Sequence, residues 1–487
     1  MIQFTTNLPE FTADLYDVIR LFYGNTPISP DEGEMRLFHE HSEQDGQWLE
    51  SARYGTEEVR FPCAVATGTE VEVKRVLKRA AKTALFLLLQ KVSGVNPPWG
   101  SLTGIRPTRL MYDAMAQGMS LEQAEDFMRE RYFVSEDKAR LLSEIIQMQS
   151  GIHDAPKDQF DLYIGIPFCT TRCLYCSFSS GEIGNGKRTE PYVQALLREI
   201  ELTAQLMKES GCRVRAAYMG GGTPTSISAE QLDRILTAAQ KHFPGAVEWT
   251  VEAGRPDTIT REKLQVMRDA KINRISVNPQ TFRDDTLKKI GRAHSAGDTI
   301  RAFWMARDMG FDHINMDLIA ALPGETMADF ERSLKTCLAL DPESITVHSL
   351  SVKRSSRLHE KIVTGGAAYV QADVPEAARM ISTAREMLSK QGYRPYYLYR
   401  QKYMAGNLEN VGYAKKGHAC LYNIGNMEET ANVLALGAGA ITKWLFDAER
   451  RIDRAPNLRN IDEYTRRVDE MVERKRELIL GDGGEQA

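Results

Sequence analysis

Residues 163–178 read Tyr163-Ile-Gly-Ile-Pro-Phe-Cys169-Thr-Thr-Arg-Cys173-Leu-Tyr-Cys176-Ser-Phe178, and this stretch decides the fold class and the chemistry of the chain. The apolar segment 162–166 predicts a short strand. Three cysteines follow it with C-x3-C-x2-C spacing, on the loop that leaves the strand. Thiolates so close together can surround one small, soft metal centre. We therefore expect a metal site at the carboxyl end of this strand.

The number of cysteines in this loop indicates which metal centre it holds. Iron–sulfur clusters are normally held by four cysteine thiolates, whereas this loop provides three. A four-iron cluster bound here would keep one iron open, and an open coordination position allows a reactant to bind. The alternative, a structural zinc site, needs a fourth Cys or His, and none follows Cys176 closely. We interpret Cys63, Cys212 and Cys337 as buried apolar residues, while the role of Cys420 stays open.

The composition is that of an ordinary globular protein. The chain has 487 residues, of which 42% are hydrophobic and 26% are charged, and this excludes a mostly disordered or collagen-like chain. The formal net charge of −4 gives no reason to expect a nucleic-acid partner. The longest apolar run, 84–89, is far shorter than the ~20 residues of a membrane-spanning helix. No secretory signal is predicted at the N-terminus, so we expect a cytoplasmic location.

Strand-like and helical segments alternate after residue 157. Amphipathic helical patterns separate six predicted strands, at 162–166, 216–219, 248–252, 274–277, 313–318 and 344–348. Such βα repeats form parallel sheets with right-handed crossovers. Six units rather than eight predict an α/β fold with a partial (β/α)6 barrel related to the TIM barrel. In such barrels the chemistry lies at the carboxyl ends of the strands.

We expect two further parts beside this barrel. Residues 1–155 predict an N-terminal α+β extension, with a strand near 71–74 among others, followed by helices. Residues 156–395 form the predicted barrel, and residues 396–487 form a C-terminal, α-rich region on the substrate side. The tail 441–480 is predicted to be helical and is dense in charges of both signs, which is typical of a solvated helix face.

Glycines and polar residues follow the predicted strands at their carboxyl ends. The glycine-rich loop Gly220-Gly-Gly-Thr-Pro-Thr225 follows the second strand, and glycines allow a ligand to approach the backbone closely. Glu252 ends the third strand, Gln280 and Arg292 follow the fourth, and Asp317 ends the fifth. Carboxylates bind hydroxyl and ammonium groups, and arginine binds carboxylates. This rim therefore suits a zwitterionic amino acid, a ribose and an adenine.

With Tyr175 before its last cysteine, the loop resembles the signature of radical S-adenosylmethionine (radical SAM) enzymes. The resemblance implies a [4Fe–4S] cluster held by Cys169, Cys173 and Cys176, with SAM bound at the fourth iron. It further implies that one electron from the cluster cleaves SAM. The resulting 5′-deoxyadenosyl radical then removes a hydrogen atom from the substrate.

A longer series of motifs resembles a narrower family, the oxygen-independent coproporphyrinogen III oxidases (HemN-like proteins) and their relatives. The resemblance extends over about 162–443 and includes the glycine-rich loop, Gln280-Thr-Phe, Gly291-Arg-x-His294, Leu322-Pro-Gly and Leu436-Gly-Ala-Gly-Ala440. The N-terminal extension and the segment 399–413 most resemble the HemZ branch (coproporphyrinogen dehydrogenase). The family resemblance implies a SAM site lined by Tyr163, Gly221, Gly222, Thr223, Glu252, Gln280, Arg292, Asp317 and Ser351.

The resemblance also implies a reaction of heme biosynthesis. The enzyme would convert two propionates of coproporphyrinogen III to vinyl groups with loss of CO2, and it would need a one-electron donor that the sequence does not identify. A tetra-anionic tetrapyrrole requires cations, and the candidates are Lys353, Arg354, Arg357, His359, Arg400 and Lys402. His294 and His418 are candidate ligands or proton shuttles, although a lone histidine is more often structural.

Two positions depart from the best-known oxidases of the family. Those enzymes carry a further cysteine where this chain has Phe178, and a histidine where it has Gly165. Heme chaperones on the same scaffold share the Cys-x-Phe arrangement, so heme binding is an alternative function. A third alternative is an interaction protein in which the three cysteines hold a structural zinc ion.

Overall fold

The computed structural model describes residues 1–24, 26–104, 106–353, 356–363, 374–400, 408–446 and 451–481. The chain forms two compact units. Residues 1–144 and 400–409 make up the first unit, and residues 145–399 and 410–487 make up the second. The division into three parts at residues 155 and 395 stays a prediction.

The first unit combines a five-stranded sheet with helices. Its elements are β1 (Ile2–Thr6), α1 (Thr12–Tyr23), β2 (Ile28–Ser29), β3 (Met35–Gln44), β4 (Gln47–Tyr54), β5 (Glu57–Ala64), α2 (Glu70–Ser93), α3 (Pro107–Ala116), α4 (Leu121–Tyr132) and α5 (Glu136–Gln149), the last of which continues into the second unit. The strand order is β2-β1-β3-β4-β5. Apolar residues of β1, α1 and α2, such as Phe4, Leu15 and Leu85, form its buried core.

Residues 71–74 lie in helix α2, so the strand predicted there is wrong. Thr69 and Glu72 form a capping box, in which each side chain accepts a hydrogen bond from the backbone amide of the other residue. This arrangement supplies partners for amides at the helix start that otherwise lack them. The alternating valines of this segment therefore belong to a helix, and Val71 is exposed to solvent.

The second unit alternates strands and helices over most of its length. Its elements are β6 (Gln159–Ile166), β7 (Phe168–Cys169), β8 (Gly181–Glu182), α6 (Thr189–Ser210), β9 (Arg213–Gly221), α7 (Ala229–His242), β10 (Glu248–Gly254), α8 (Arg261–Asp269), β11 (Arg274–Val277), α9 (Asp284–Lys289), α10 (Ala296–Asp308), β12 (Ile314–Ala320), α11 (Met327–Leu340), β13 (Ser344–Ser349), α12 (Arg357–Val363), α13 (Val374–Lys390), β14 (Arg394–Arg400), β15 (Glu409–Ala414), α14 (Leu421–Glu428), β16 (Asn432–Leu436), β17 (Ile441–Phe446), β18 (Arg451–Pro456), α15 (Ile461–Arg466) and α16 (Val468–Leu480).

Six strands of the second unit are parallel and lie in chain order, β6-β9-β10-β11-β12-β13. The predicted α/β class with a partial (β/α)6 barrel is therefore confirmed. β16 adds a seventh parallel strand beside β6. Antiparallel strands extend both edges of the sheet, since β15 pairs with β13 and β17 pairs with β16 and β18. The parallel strands direct their carboxyl ends, and the loops that follow, toward one rim.

The tail 441–480 begins with two strands, so the helix predicted for its whole length is wrong. β17 and β18 form an antiparallel pair, and the helical part starts only at Ile461. In β17, buried Thr442 and Trp444 alternate with more exposed residues, which is the period of a strand. The high density of charged residues in the tail favoured a helical interpretation over this short alternation.

Glu199 in α6 connects the C-terminal elements to the barrel. Its carboxylate accepts hydrogen bonds from three neutral groups and pairs with one ammonium group: the Gly437 amide (2.7 Å), Asn457 Nδ2 (2.8 Å), the Tyr464 hydroxyl (2.5 Å) and Lys475 Nζ (2.7 Å). The side chains of Glu199 and Lys475 are completely buried. A buried charge is costly unless it is paired, so this ion pair fixes α16 and the turn after β16 against α6.

Replacing Lys475 with methionine is expected to destabilise the protein strongly, because Glu199 would remain buried without its cation. Removing one partner of a buried ion pair costs about 3–5 kcal/mol. The matched control is Arg476→Met, since Arg476 pairs with Glu209 at 2.6 Å but both side chains are more than a third exposed. Surface pairs contribute little. Thermal unfolding measures both variants, and equal decreases in the two midpoints would contradict this role of Lys475.

Candidate functional site

The cysteine loop, residues 167–180, leaves the carboxyl end of β6, where the sequence predicted a metal site. Cys169, Cys173 and Cys176 are partly exposed and carry free thiols. The hydroxyl groups of Thr223 and Ser180 lie 3.6 and 3.7 Å from the sulfur of Cys169. The loop therefore presents three available thiols at the rim that the parallel strands define.

Backbone contacts hold this loop in place. The Leu174 amide donates to the carbonyl of Ile290 (2.9 Å), and the Leu358 amide donates to the carbonyl of Leu174 (2.8 Å). Leu174 also packs against an apolar cluster that includes Leu287 and Leu322. The residues between the second and third cysteines are thus fixed by segments that follow three other strands, and the spacing of the thiols is set by the fold.

Two kinds of metal centre place different demands on the three thiols. Ligands of zinc must all lie within ~2.3 Å of one centre, whereas a four-iron cluster offers a different iron to each thiolate. Three cysteines with no further Cys or His closely after Cys176 fit the cluster.

The glycine-rich loop after β9 lies directly against the cysteine loop. The amides of Gly222 and Thr223 donate to the carbonyls of Ile166 and Phe168, both at 2.7 Å. A Cβ at position 222 would lie 2.6 Å from the Phe168 carbonyl oxygen, and Gly221 has a φ of +106°. Only glycine fits this contact between two backbones. The sequence predicts that a ligand approaches the glycine-rich loop closely. At Gly222 the backbone of the cysteine loop makes this close approach, and it places Thr223 beside Cys169.

Glu252 lies inside the barrel among tyrosines. The Tyr218 hydroxyl donates to Glu252 Oε1 (2.5 Å). The rings of Tyr163, Tyr218 and Tyr422 stack, with centroid distances of 4.6–6.5 Å. Burial raises the pKa of Glu252 to about 7, and the Asp317 carboxylate adds to this effect against the hydrogen bond from Tyr218. Glu252 is therefore a carboxyl group that changes its charge near neutral pH.

Asp317 on β12 behaves in the opposite way. Burial alone would raise its pKa, but His348 and a hydrogen bond from Asn315 Nδ2 (2.8 Å) hold the pKa below its usual value. His348 Nε2 lies 3.7 Å from Asp317 Oδ2. Two neighbouring carboxyl groups whose pKa values diverge are typical of functional sites. The barrel thus contains one carboxylate that stays ionised and one that titrates.

Gln280 follows β11 in a strained backbone conformation, with a φ of +67°. Its amide donates to the Asp317 carbonyl, and its own carbonyl accepts from the Ile319 amide, both at 2.9 Å. A left-handed conformation costs a residue with a Cβ about 1–2 kcal/mol. Such strain clusters at functional sites, and here the backbone hydrogen bonds hold Gln280 beside Asp317.

Arg292 and Ser351 carry buried polar atoms without a partner. Arg292 Nη1 donates to the Asn278 carbonyl (2.7 Å), while Nε makes no hydrogen bond. Burial would lower the pKa of Arg292, but the neighbouring Tyr175 and Cys173 raise it. Ser351 Oγ, just after β13, is buried and unpartnered as well. Such groups need a partner, and a ligand with a carboxylate and hydroxyl groups would provide one.

Sequence reasoning missed several groups of this site, namely Tyr218, His348, Arg255 and Asp257. Tyr218 lies two residues before Gly220, on the same face of β9, and this spacing was a usable signal. His348 meets Asp317 because β12 and β13 pair with Asp317 opposite Thr346. Such register is not visible in a single sequence.

His418 and Cys420 lie at the opposite, amino-terminal end of the strands. The His418 carbonyl accepts from Arg274 Nη2 (3.1 Å), and Cys420 Sγ is 3.2 Å from Glu248 Oε1. Glu248 also accepts hydrogen bonds from two amides at the start of α14. These contacts close the barrel floor, so both residues have structural surroundings. His294, by contrast, is buried beside the cysteine loop.

The cationic residues predicted to bind the substrate lie in different parts of the chain. Arg357 Nη1 lies 3.4 Å from Glu182 Oε1, near the cysteine loop, and Lys353 and His359 lie close to it in the chain. Arg400 is buried in the first unit, where its guanidinium donates to the carbonyls of Leu102 and Gly104 and lies over Trp99. Arg354 and Lys402 lie outside the described residues.

Comparisons with known proteins agree with this geometry. Residues 163–337 match the model of the radical SAM superfamily. The oxygen-independent coproporphyrinogen-III oxidase-like protein HemZ of Bacillus subtilis is 40% identical over 414 residues, 84% of this chain and 82% of that protein. The heme chaperone HemW of Bacillus subtilis is 40% identical over 194 residues, 39% of this chain and 50% of that protein.

A solved structure shares the fold. Coproporphyrinogen III oxidase (HemN) from Escherichia coli superposes with a TM-score of 0.52 at 21% identity, over 69% of this chain and 73% of that chain. This similarity confirms the barrel architecture. In the described ranges, no helix is both long and apolar enough to span a membrane.

If Glu252 contacts SAM, its pKa determines how the binding of SAM depends on pH. Because this carboxyl has a pKa of about 7, its ionised fraction decreases about tenfold between pH 8 and pH 6, and with it the hydrogen bonds that Glu252 can offer SAM. Affinity measured by titration calorimetry should therefore be several-fold lower at pH 6. Glu252→Gln should bind weakly at both pH values. A variant with the same pH dependence as the natural chain would show that another group titrates.

Proposed function

The chain belongs to the radical SAM superfamily and, within it, to the oxygen-independent coproporphyrinogen III oxidase-like (HemN-like) proteins that include HemZ, and from this premise we propose that it is a coproporphyrinogen III dehydrogenase of heme biosynthesis. One observation carries the proposal: three free thiols lie at the carboxyl end of β6, beside the unpartnered guanidinium nitrogen of Arg292. The similarity to HemZ over most of the chain supports a tetrapyrrole as substrate.

The cofactors of this superfamily are a [4Fe–4S] cluster and SAM, which together supply a 5′-deoxyadenosyl radical that removes a hydrogen atom from the substrate. Cys169, Cys173 and Cys176 would hold the cluster. Arg292 would bind the carboxylate of SAM through its unpartnered nitrogen. Asp317, which stays ionised, and Glu252 would accept hydrogen bonds from the amino and hydroxyl groups of SAM.

The remaining predicted residues would orient SAM inside the barrel. Tyr163 offers the face of its ring within the tyrosine stack, and Gly221, Gly222 and Thr223 border the space between the cysteine loop and β9. Gln280 and Ser351 close the rim on the side of β11 and β13. The hydroxyl group of Ser351 is buried without a partner, which supports a contact with the ligand.

The proposed reaction balances for each of two propionates. A hydrogen atom leaves the carbon β to the carboxylate, and the C–C bond to the carboxylate breaks with release of CO2. A vinyl group remains, and one electron passes to a one-electron acceptor. A separate one-electron donor would supply the electron that the cluster needs for each cleavage of SAM. Arg357 and Lys353 near the rim would attract the anionic substrate.

A second candidate function is heme binding for transfer, as in a chaperone. One observation favours it: Phe178, two residues after Cys176, exposes 69% of its surface next to the cysteine loop. An exposed aromatic ring suits contact with a flat tetrapyrrole. The similarity to the heme chaperone HemW over 39% of the chain points in the same direction.

The test of the proposed function is an anaerobic assay of protein with a reconstituted cluster. Coproporphyrinogen III, SAM, dithionite and a one-electron acceptor are added, and protoporphyrinogen IX and 5′-deoxyadenosine are measured. The chain is expected to form both products. Cys173→Ala should form neither, because the cluster loses one of its three thiolates. Cys212→Ala, a matched change outside the loop, should keep the activity.

Each other outcome of this assay is informative. Formation of 5′-deoxyadenosine without a vinyl product would reject coproporphyrinogen III as the substrate and leave the radical chemistry in place. Stoichiometric heme binding with transfer to an apoprotein, and no vinyl product, would favour the chaperone function. Equal product formation by Cys173→Ala would contradict the proposal directly.

A further inference from the structure

Arg255 is not among the residues assigned to the cofactors above. It precedes the short turn after β10, and 3% of its surface is exposed. One edge of its guanidinium contacts Asp257, with Nε 3.1 Å from Oδ1 and Nη2 3.3 Å from Oδ2. The other edge faces the cysteine loop, where Nη1 donates to the Thr171 carbonyl (2.9 Å) and lies 3.9 Å from Cys173 Sγ.

Asp257 is fixed on the far side of this pair. Its Oδ2 accepts a hydrogen bond from the Thr170 hydroxyl (3.0 Å), and its Oδ1 lies 3.6 Å from His294 Nδ1. The pair is therefore a dipole with a defined direction, because the buried guanidinium faces the sulfur of Cys173 and the more exposed carboxylate lies behind it. The hydrogen bonds to Thr170 and Thr171 prevent either group from turning away.

A buried charge beside a cluster ligand acts on the electron affinity of the cluster. The reduced cluster carries one more negative charge than the oxidised cluster, and charges interact strongly where water is excluded. Net charge and hydrogen bonds near the sulfurs are among the factors that set the potentials of iron–sulfur clusters. A guanidinium near Cys173 therefore favours the reduced state, and a carboxylate behind it disfavours that state.

We propose that the Arg255–Asp257 pair sets the reduction potential of the cluster held by the cysteine loop, with Arg255 raising the potential and Asp257 lowering it. Both are positioning residues, because their contacts are with the cysteine loop and they act through Cys173. The proposal requires the cluster but not the proposed oxidase activity. Its failure is therefore distinguishable from failure of the proposed function.

The test is a redox titration of the reconstituted protein, followed by the electron paramagnetic resonance (EPR) signal of the reduced cluster. Arg255→Gln should lower the midpoint potential, and Asp257→Asn should raise it, each by on the order of 59 mV, which corresponds to a tenfold change in the one-electron equilibrium. Arg255→Lys keeps the charge and should stay near the natural value. The control is Arg213→Gln at the opposite end of β9, which should change nothing. Iron content is measured for every variant.

The opposite signs separate an electrostatic role from a structural one. A loosened loop would admit water, which stabilises the more highly charged reduced cluster, so both variants would then shift upward. Shifts in the same direction, or unchanged potentials with full iron content, would overturn the proposal. If Arg255→Gln holds no cluster, the other two variants decide. A higher midpoint potential in Asp257→Asn together with an unchanged potential in Arg255→Lys would support the proposal. Any other combination would overturn it.

Discussion

The rest of the structure depends on one constraint: three cysteine thiolates hold a four-iron cluster, so one iron has no protein ligand. The open iron is useful only if each thiolate holds its own corner and if the space beside the fourth corner is kept for a ligand. The fold meets the first condition by fixing the loop from several strands, through the amide of Leu174 and the contact at Gly222. In the proposed function, Arg292, Asp317 and Glu252 would meet the second, since each carries a buried polar or charged group that a ligand could contact.

Inside the barrel, the pKa values of two neighbouring carboxyl groups are shifted in opposite directions. The neighbouring His348 and a hydrogen bond from Asn315 hold the pKa of Asp317 below its usual value, whereas burial among tyrosine rings raises the pKa of Glu252. Beside the loop, the buried Arg255 forms an ion pair with the more exposed Asp257.

The sequence predicted those parts of the fold that local pattern determines. The strand at 162–166 is the end of β6, and the six parallel strands and the cysteine loop lie where expected. The errors have physical causes. A capping box at Thr69 and Glu72 starts the helix that contains 71–74, and antiparallel pairing with β18 makes 441–446 a strand. Tyr218 and His348 were missed because their contacts depend on which residues of neighbouring strands lie opposite each other. The role of Gly222 was predicted as close approach to a ligand, but at that residue the partner is backbone.

The most direct measurement of the central claim is the EPR spectrum of the anaerobically reconstituted, dithionite-reduced protein, recorded before and after addition of SAM. Chemical analysis should give about four irons per chain. We expect a signal of a reduced [4Fe–4S] cluster whose g values change when SAM binds at the open iron. A signal that is identical with and without saturating SAM would show that the fourth iron is not available, and the account of this site would be wrong.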